Sequence, residues 1–478
     1  MYFWDWEQLE SYIESNFLQI SDPGPLVGPI HSFKLSRDKD LNLILETKSQ
    51  KIVGPEKDPY PPGTVRTNED TVSLSSPMGG AGLAFGVQPL GTRSTIGLKQ
   101  PIRETIQTSS LHYFEYHTLQ TGPVAYTFEW IANVDHRSYL WPDGVNDKLV
   151  SIPSRTFGTA SNKIKFRSGA TSDGGSKSCI DLNVCGYRTI IGRTKTDEID
   201  AALKPGYLLF FGDPNEDTRK KIRDSLSFFL GFPIVKLGFS KFNTKQELVT
   251  FKAIDAYSMD GRAFNTHALP PAPLATHNTR NILDKAELER MANLFCDSYD
   301  DYGISSLNWN YWHAVTAPTH MAPAYFGAII ESLQKKYIDA QGSKFNNRVI
   351  SPADYNSIKR LILEATKNIE LPIEDRKTLI EKLHSANTVS QKVRSQRFFE
   401  YLDLNMGEAE LIAWQRRNNA AHGNDILEED YISLIRETKL LKLMLHRIVL
   451  KITNTNSSYI DYYSLHFPTR PISSGVSD

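Results

Sequence analysis

His267-Ala268-Leu269-Pro270-Pro271-Ala272-Pro273-Leu274 separates two differently patterned parts of the chain. Pro270, Pro271 and Pro273 each remove a backbone donor and fix φ, so residues 267–280 read as a proline-rich linker that few contacts cross. Upstream, apolar residues recur every second position between turn signals, the pattern of strands. Tyr126, Phe128 and Trp130 alternate with Thr127 and Glu129, predicting a half-buried strand, and Val249, Phe251 and Ala253 alternate in the same way with Thr250 and Lys252. Ile234 to Phe239 reads as a further strand. One helix interrupts them, with Asp213 expected as N-cap, Pro214 at its first position and Glu216 completing a capping box. Ile222, Leu226, Phe229 and Leu230 form its apolar stripe, and Gly231 stops it.

Downstream of the linker the period changes to that of helices. They are expected over 283–299, 320–339, 352–369, 374–385, 389–402, 406–422 and 429–452. In the last, Leu434, Leu441, Leu445, Ile448 and Ile452 form a seam that needs a partner helix, within the domain or across a dimer. The expected fold is therefore an α+β multidomain chain. A β-rich N-terminal region with at least one packed helix, 1–266, precedes the linker, an all-α helical bundle over 281–465 and a weakly patterned tail over 466–478.

Length and composition agree with that division. A chain of 478 residues exceeds what one hydrophobic core supports, and its 40% apolar and 23% charged content is ordinary for a globular protein. Cys179, Cys185 and Cys296 are odd in number and lack zinc-finger spacing, so they read as reduced thiols. The start carries no signal-peptide pattern, and no apolar run reaches bilayer length, so a cytoplasmic protein with no membrane association is expected. A net charge of -1 argues against a general nucleic-acid coat, although residues 320–453 hold 20 Lys/Arg against 17 Asp/Glu, enough for a local basic patch.

One motif in the helical part bears on chemistry: Arg416-Arg417-Asn418-Asn419-Ala420-Ala421-His422-Gly423. It closes the helix expected over 406–422, where Asn405 and Glu408 resemble a capping-box start and Gly423 with Asn424 gives the stop. In the last turn the helix dipole favours protonated His422, a side chain that moves protons near neutral pH, while Arg417 can hold a phosphate. Asn418 and His422 share a helix face. Arg417 and His422, five apart, lie about 140° from each other on a regular helix, so they converge only if the turn is distorted or two copies meet. Helix-end electrostatics alone would also gather these cations. Chance supplies roughly one or two such Arg/His pairs in a chain of this size, and Arg262 with His267, leading into the linker, reads as one.

The run Arg417-Asn418-x-x-x-His422-Gly423 before a final long helix resembles the signature of HEPN ribonuclease domains. The resemblance extends upstream to Phe326-Gly327-Ala328-Ile329-Ile330-Glu331-Ser332-Leu333, similar to the early HEPN helix. It also takes in Asn387-Thr388-Val389-Ser390 leading to Arg394, Arg397 and Phe398, similar to the segment before the signature helix. It covers about residues 300–465. A HEPN domain behind a β-rich region is similar in architecture to the ApeA-like proteins of bacterial anti-phage defence.

The resemblance implies a metal-independent endoribonuclease that uses the RNA's own 2′-hydroxyl as nucleophile, with no cofactor. His422 is then the general acid or base, Arg417 stabilises charge on the phosphate, Asn418 orients His422 or the phosphate, and Arg416 assists binding. DNA would be spared for want of the 2′-hydroxyl. Lys392, Arg394 and Arg397 are candidates to track the RNA backbone, or else a solvated helix face. The RNA, tRNA among the possibilities, would be cut by a homodimer built through the helical domain. The N-terminal region would sense a phage-derived trigger and restrain the nuclease.

Two other readings are a HEPN-like module that dimerises or binds RNA without cutting it, and a β-rich binding module with the helices as scaffold. Gly79-Gly80-Ala81-Gly82-Leu83-Ala84-Phe85-Gly86 misses the dinucleotide fingerprint at Phe85 and reads as a turn between strands. His112, Glu115 and His117 crowd one aromatic segment but offer too few ligands on one face for a metal site.

Overall fold

The computed structural model describes residues 6–7, 9–50, 69–96, 103–134, 141–148, 154–157, 164–167, 173–194, 203–274, 283–366, 369–421 and 430–476. The chain forms two compact units, Met1–Leu269 with Leu274–Asn293, and Pro270–Pro273 with Leu294–Asp478. The described part of the proline-rich segment is shared between them. Ala268 donates its N–H to the Gly231 carbonyl at 2.7 Å in the first unit. In the second, the Pro271 carbonyl accepts from the Ile460 N–H at 3.2 Å and the Pro270 carbonyl from the Tyr462 hydroxyl.

The first unit is β-rich, as the period-two pattern predicts. Helix α1 (Leu9–Ser15) and β1 (Gln19–Asp22) lead into β2 (Ile30–Arg37), β3 (Leu43–Ser49), β4 (Thr71–Ser76), β5 (Gly80–Phe85), β6 (Gln88–Ile96), β7 (Arg103–Ser110), β8 (Tyr113–His117) and β9 (Val124–Ala132). There follow β10 (Asp143–Lys148), β11 (Ser154–Phe157), β12 (Ile164–Arg167), β13 (Asp173–Val184), β14 (Tyr187–Arg193), β15 (Gly206–Phe211), α2 (Glu216–Leu230), β16 (Val235–Asn243) and β17 (Leu248–Ile254). Eleven strands join in the order β1-β4-β5-β8-β17-β16-β9-β15-β14-β13-β10, and four more in the order β2-β3-β7-β6. Leu9 and Ile13 of α1, Leu35, Leu43 and Leu45 of the smaller sheet and Val72, Phe114, Phe251 and Ala253 of the larger one share one core.

Three sequence expectations need correction here. Strand β9 is not polar outward on the Thr127/Glu129 face, because α2 lies over it and both residues are buried. Glu129, with 0% exposure, receives the Arg223 guanidinium on both oxygens at 2.6 Å, with Arg219 3.6 Å away. The α2 N-cap is Asn215, whose Oδ1 accepts from the Thr218 N–H at 2.8 Å, two residues later than expected. Asp213 instead pairs with Lys241 at 2.7 Å, and Glu216 turns inward to Arg219, Arg223 and Lys236. Gly231 closes the helix in the left-handed conformation, as read. Most of the 79–86 run is strand β5 rather than a turn. At Gly80 and Gly82 a Cβ would run into the rings of Tyr116 and Phe114, so these glycines let neighbouring aromatics lie flat on the sheet.

Burial works against charge at Arg223, but Glu129 and Glu216 outweigh it and hold its pKa above the ordinary arginine value. Burial and the nearby Arg223 push Lys236 down.

The second unit is helical. Helix α3 (Lys285–Asp297) begins among the residues of the first unit, and α4 (Ile304–Thr316), α5 (Ala322–Gln341), α6 (Pro352–Thr366), α7 (Ile373–Ser385), α8 (Gln391–Tyr401), α9 (Glu408–Ala421) and α10 (Tyr431–Ile452) follow. No helix was expected at α4. Its Ser, Asn, Thr and aromatic residues are poor helix formers, and it starts after Gly303 with no side-chain cap. Burial of Ile304, Leu307, Tyr311 and Trp312 holds it helical instead. Leu441, Leu445, Ile448 and Ile452 of the α10 seam are buried against α9 and α5 of the same unit.

Within the described tail, β18 (Ser458–Ile460) pairs with β19 (Thr469–Pro471). Among the described residues no helix is long and apolar enough to cross a membrane.

Replacing Glu129 by Ala strands Arg223 and Arg219 beneath α2, and should lower the unfolding free energy of the β-rich unit by about 3–5 kcal/mol. Glu216→Ala, at a half-exposed carboxylate, should cost clearly less. Urea titration followed by tryptophan fluorescence separates the two, and equal losses would contradict the assignment.

Candidate functional site

The motif helix α9 begins differently from the expected capping box. Asn405 offers its carbonyl to Arg447 Nη2 at 2.6 Å, and Glu410, not Glu408, closes the first turn by accepting the Gly407 N–H at 2.8 Å. The other Glu410 oxygen takes Arg447 Nη1 at 2.6 Å, and both side chains are fully buried. One buried ion pair therefore fixes α9 against α10, leaving the far end of α9 to present the motif.

Arg417 lies one turn before the end of α9 and is only 6% exposed. Its guanidinium stacks on Trp414, 3.6 Å from the ring centroid, and gives Nη1 to the Trp414 carbonyl. Nη2 goes to the carboxylate of Glu331 on α5. The Arg417 stem fills the space over Gly327, where a Cβ would lie 2.6 Å from Cδ. Residues 326–333 of α5 and 416–423 at the end of α9 thus meet through the Glu331 and Arg417 side chains.

Sequence reasoning gave Glu331, Gly327 and Trp414 no role of their own. The usable signals were a lone carboxylate inside the apolar run 326–333 and a glycine within a helix, where it costs about 1 kcal/mol relative to Ala.

The other predicted residues divide. Arg416 points outward and pairs with Glu437 of α10 at 3.0 Å. Asn418 lies in α9, but its side chain, and the whole of His422, fall outside the described residues, as does the expected dipole effect on His422. Lys392 is exposed in the first turn of α8, which Ser390 caps by accepting from the Val393 N–H at 3.4 Å.

Arg394 and Arg397, both half-buried, hold a neighbouring loop. Arg394 Nε donates to Asn347 Oδ1 at 3.0 Å, and Arg397 Nη1 donates to the carbonyls of Asn346 and Arg348 at 3.0 and 2.9 Å. Buried Asn387 binds both the N–H and the carbonyl of Ile350, at 3.0 and 3.1 Å. Together these contacts clamp the segment that leads into α6.

Elsewhere in this unit the Tyr311 hydroxyl and His446 Nε2 lie 3.0 Å apart in the core. Burial, reinforced by Lys442, drives the His446 pKa well below its ordinary value, so the ring is neutral there. Burial also lowers Lys442 to about 8.

The Arg262/His267 pair is a loop feature, with Arg262 at φ 53° bonding the Met259 carbonyl at 2.8 Å. On β8, His117 and Glu115 pair at 3.0 Å, on the face opposite buried Phe114 and Tyr116. Among the described residues no group of three His, Cys, Asp or Glu is placed to hold a metal ion. None of the three cysteines is joined in a disulfide, and burial, with Asp143 and Asp181 nearby, raises Cys179 to about 11.

No family model and no curated protein matches the chain. Among solved structures it is similar, at 9% identity and a TM-score of 0.10, to a TPR-domain containing protein from Parabacteroides distasonis, covering 91% of this chain and 71% of that one. A likeness that slight bears on neither fold nor function.

If Gly327 exists to make room for Arg417, Gly327→Ala should destabilise the helical unit by about 1–3 kcal/mol through overpacking. In an Arg417→Ala background the same change should become neutral or stabilising by up to about 1 kcal/mol, because Ala is the better helix former. A double-mutant cycle by thermal denaturation measures the coupling, and additive effects would refute the packing argument.

Proposed function

We propose that the helical unit is a metal-independent endoribonuclease of the HEPN kind, in which Arg417 and His422 act together on the phosphate of an RNA strand. The observation that carries this reading is the Glu331–Arg417 pair. It brings the two family-like segments into contact and fixes the orientation of an arginine five residues before His422. An arginine held by a carboxylate and stacked on an aromatic ring is fixed in orientation, and a guanidinium has more donors than these two contacts use.

In the proposed reaction the 2′-oxygen attacks phosphorus and the P–O5′ bond breaks. His422 takes the 2′-hydroxyl proton or returns one to the departing 5′-oxygen, leaving a cyclic phosphate and a 5′-hydroxyl. Arg417 offsets the charge that builds on the phosphate, and Asn418 and Arg416 support position and binding. The five-residue spacing favours completion of the site by a second copy over a distorted last turn. The β-rich unit then serves as the regulator, with defence against phage as its setting.

A second reading keeps the same fold as a non-cutting interaction module. The depth of Arg417 beneath the surface favours it, since a buried, paired arginine also braces α5 against α9.

RNA and DNA of one sequence, incubated with the full chain in EDTA, separate the readings. Cleavage of RNA alone, leaving cyclic-phosphate ends, is expected, with a loss of about 10²–10⁴ in rate for His422→Ala and about 10²–10³ for Arg417→Ala. Cleavage unchanged in His422→Ala would refute the assignment. Intact RNA in every reaction would leave the interaction module as the better account.

A further inference from the structure

Helices α6 and α7 differ from the rest of the second unit: neither contains a single buried residue. They form an antiparallel hairpin, because the Tyr355 hydroxyl of α6 reaches the Leu383 carbonyl near the end of α7 and Lys359 meets His384 at 2.9 Å. The base is firmly held. Val349 and Val389 exchange backbone hydrogen bonds with Asn387 and Asn347 at 3.0 and 3.3 Å, and Arg394 and Arg397 clamp the 346–348 segment.

Beyond that base Leu363, Leu371, Leu379 and Leu383 are half-buried, but six further apolar residues are not covered. Ile358, Leu361, Ile362, Ile369, Ile373 and Ile380 are all exposed, Leu361 by 66% and Ile373 by 88%. On α6 the positions 358, 361 and 362 share one face. Helices this short draw their stability chiefly from packing an apolar face, so an uncovered face on a clamped hairpin marks a docking surface.

We propose that this hairpin docks against the same hairpin of a second copy of the chain, the two packing antiparallel about a two-fold axis into a four-helix arrangement. Charge selects that occupant. Residues 361–377, the outer end, carry four carboxylates and three cations, whereas the inner end, 352–360 with 378–386, carries two carboxylates and three cations. A two-fold axis across the hairpin lays each negative outer end on the partner's positive inner end, twice over. An apolar strip with an acidic outer end is poorly suited to a polyanion such as RNA. The inference deepens the dimeric reading above by naming a surface for it, and stands or falls separately from cleavage.

Sedimentation velocity on the full chain tests it. The wild type should form dimers, and Leu361→Glu with Ile373→Glu should weaken self-association by at least about tenfold while circular dichroism keeps the wild-type helix signal. Two charge-reversed chains sharpen the result, one with Glu374→Lys and Asp375→Lys, the other with Lys359→Glu and Lys382→Glu. Each alone should associate more weakly than the wild type, and an equimolar mixture should recover it. A monomeric wild type would overturn the proposal, as would a Leu361→Glu/Ile373→Glu chain that dimerises as well as the wild type, or a mixture no better than its components. Ribonuclease activity is read on the same samples, so a dimer that does not cut RNA leaves this inference intact and counts only against the catalytic one.

Discussion

The pair between Arg447 and Glu410 organises the helical unit. Both side chains are fully buried, and an arginine in that position must have its donors satisfied or destabilise the fold by several kcal/mol. It is well supplied. Nε meets the Ile472 carbonyl at 3.0 Å, Nη1 meets Glu410, and Nη2 meets the Asn405 carbonyl at 2.6 Å. Glu410 returns its second oxygen to the N–H groups of Gly407 and Val476, at 2.8 and 3.3 Å. The start of α9, the middle of α10 and the β18–β19 segment thus share one charge pair. Because that pair sets how α9 lies along its neighbours, it also determines that Arg417, two turns on, meets Glu331.

The β-rich unit repeats the device. Arg37 joins Glu7 and donates to the carbonyls of Leu41, Ile254 and Leu237 at 2.7 to 2.9 Å, linking β2 to the ends of β16 and β17. Arg223 and Glu129 do the same between α2 and β9. A buried ion pair adds little net stability over apolar packing, but it tolerates few alternative arrangements, since any slip leaves a charge unmatched. In this protein such pairs sit where separate elements are joined.

How far the sequence discloses this follows from range. The α2 stripe, the α10 seam and the strands β9 and β17 were legible because each depends on the spacing of apolar residues over a few turns or a few positions. What escaped depends on partners distant in sequence. Glu129 reads as the wet side of a strand until α2, ninety-odd residues later, is laid upon it. Helix α4 has poor local propensity and is held by burial alone, and the glycines of β5 look like a turn unless the rings of Phe114 and Tyr116 are placed beside them. Arg417 was legible as a functional candidate from its neighbours in sequence, whereas its tether to Glu331, 86 residues upstream, was not. Arg394 and Arg397 are a further case of distant partners: a basic stretch of sequence gives no sign that these side chains hold the base of the α6–α7 hairpin.

The closure of α9 by residues far downstream also sets an order of events during synthesis. The N–H of Val476 reaches Glu410 across 66 positions of chain, and the Ile472 carbonyl reaches Arg447 across 25. While the ribosome has yet to deliver those residues, the Arg447–Glu410 pair lacks two of its partners, and the start of α9 lacks part of its final closure. The β-rich unit, which ends at Asn293 and whose described strands precede residue 255, is synthesised before those residues. Arg417, through α9, therefore rests on contacts made by residues that come later in the chain than itself.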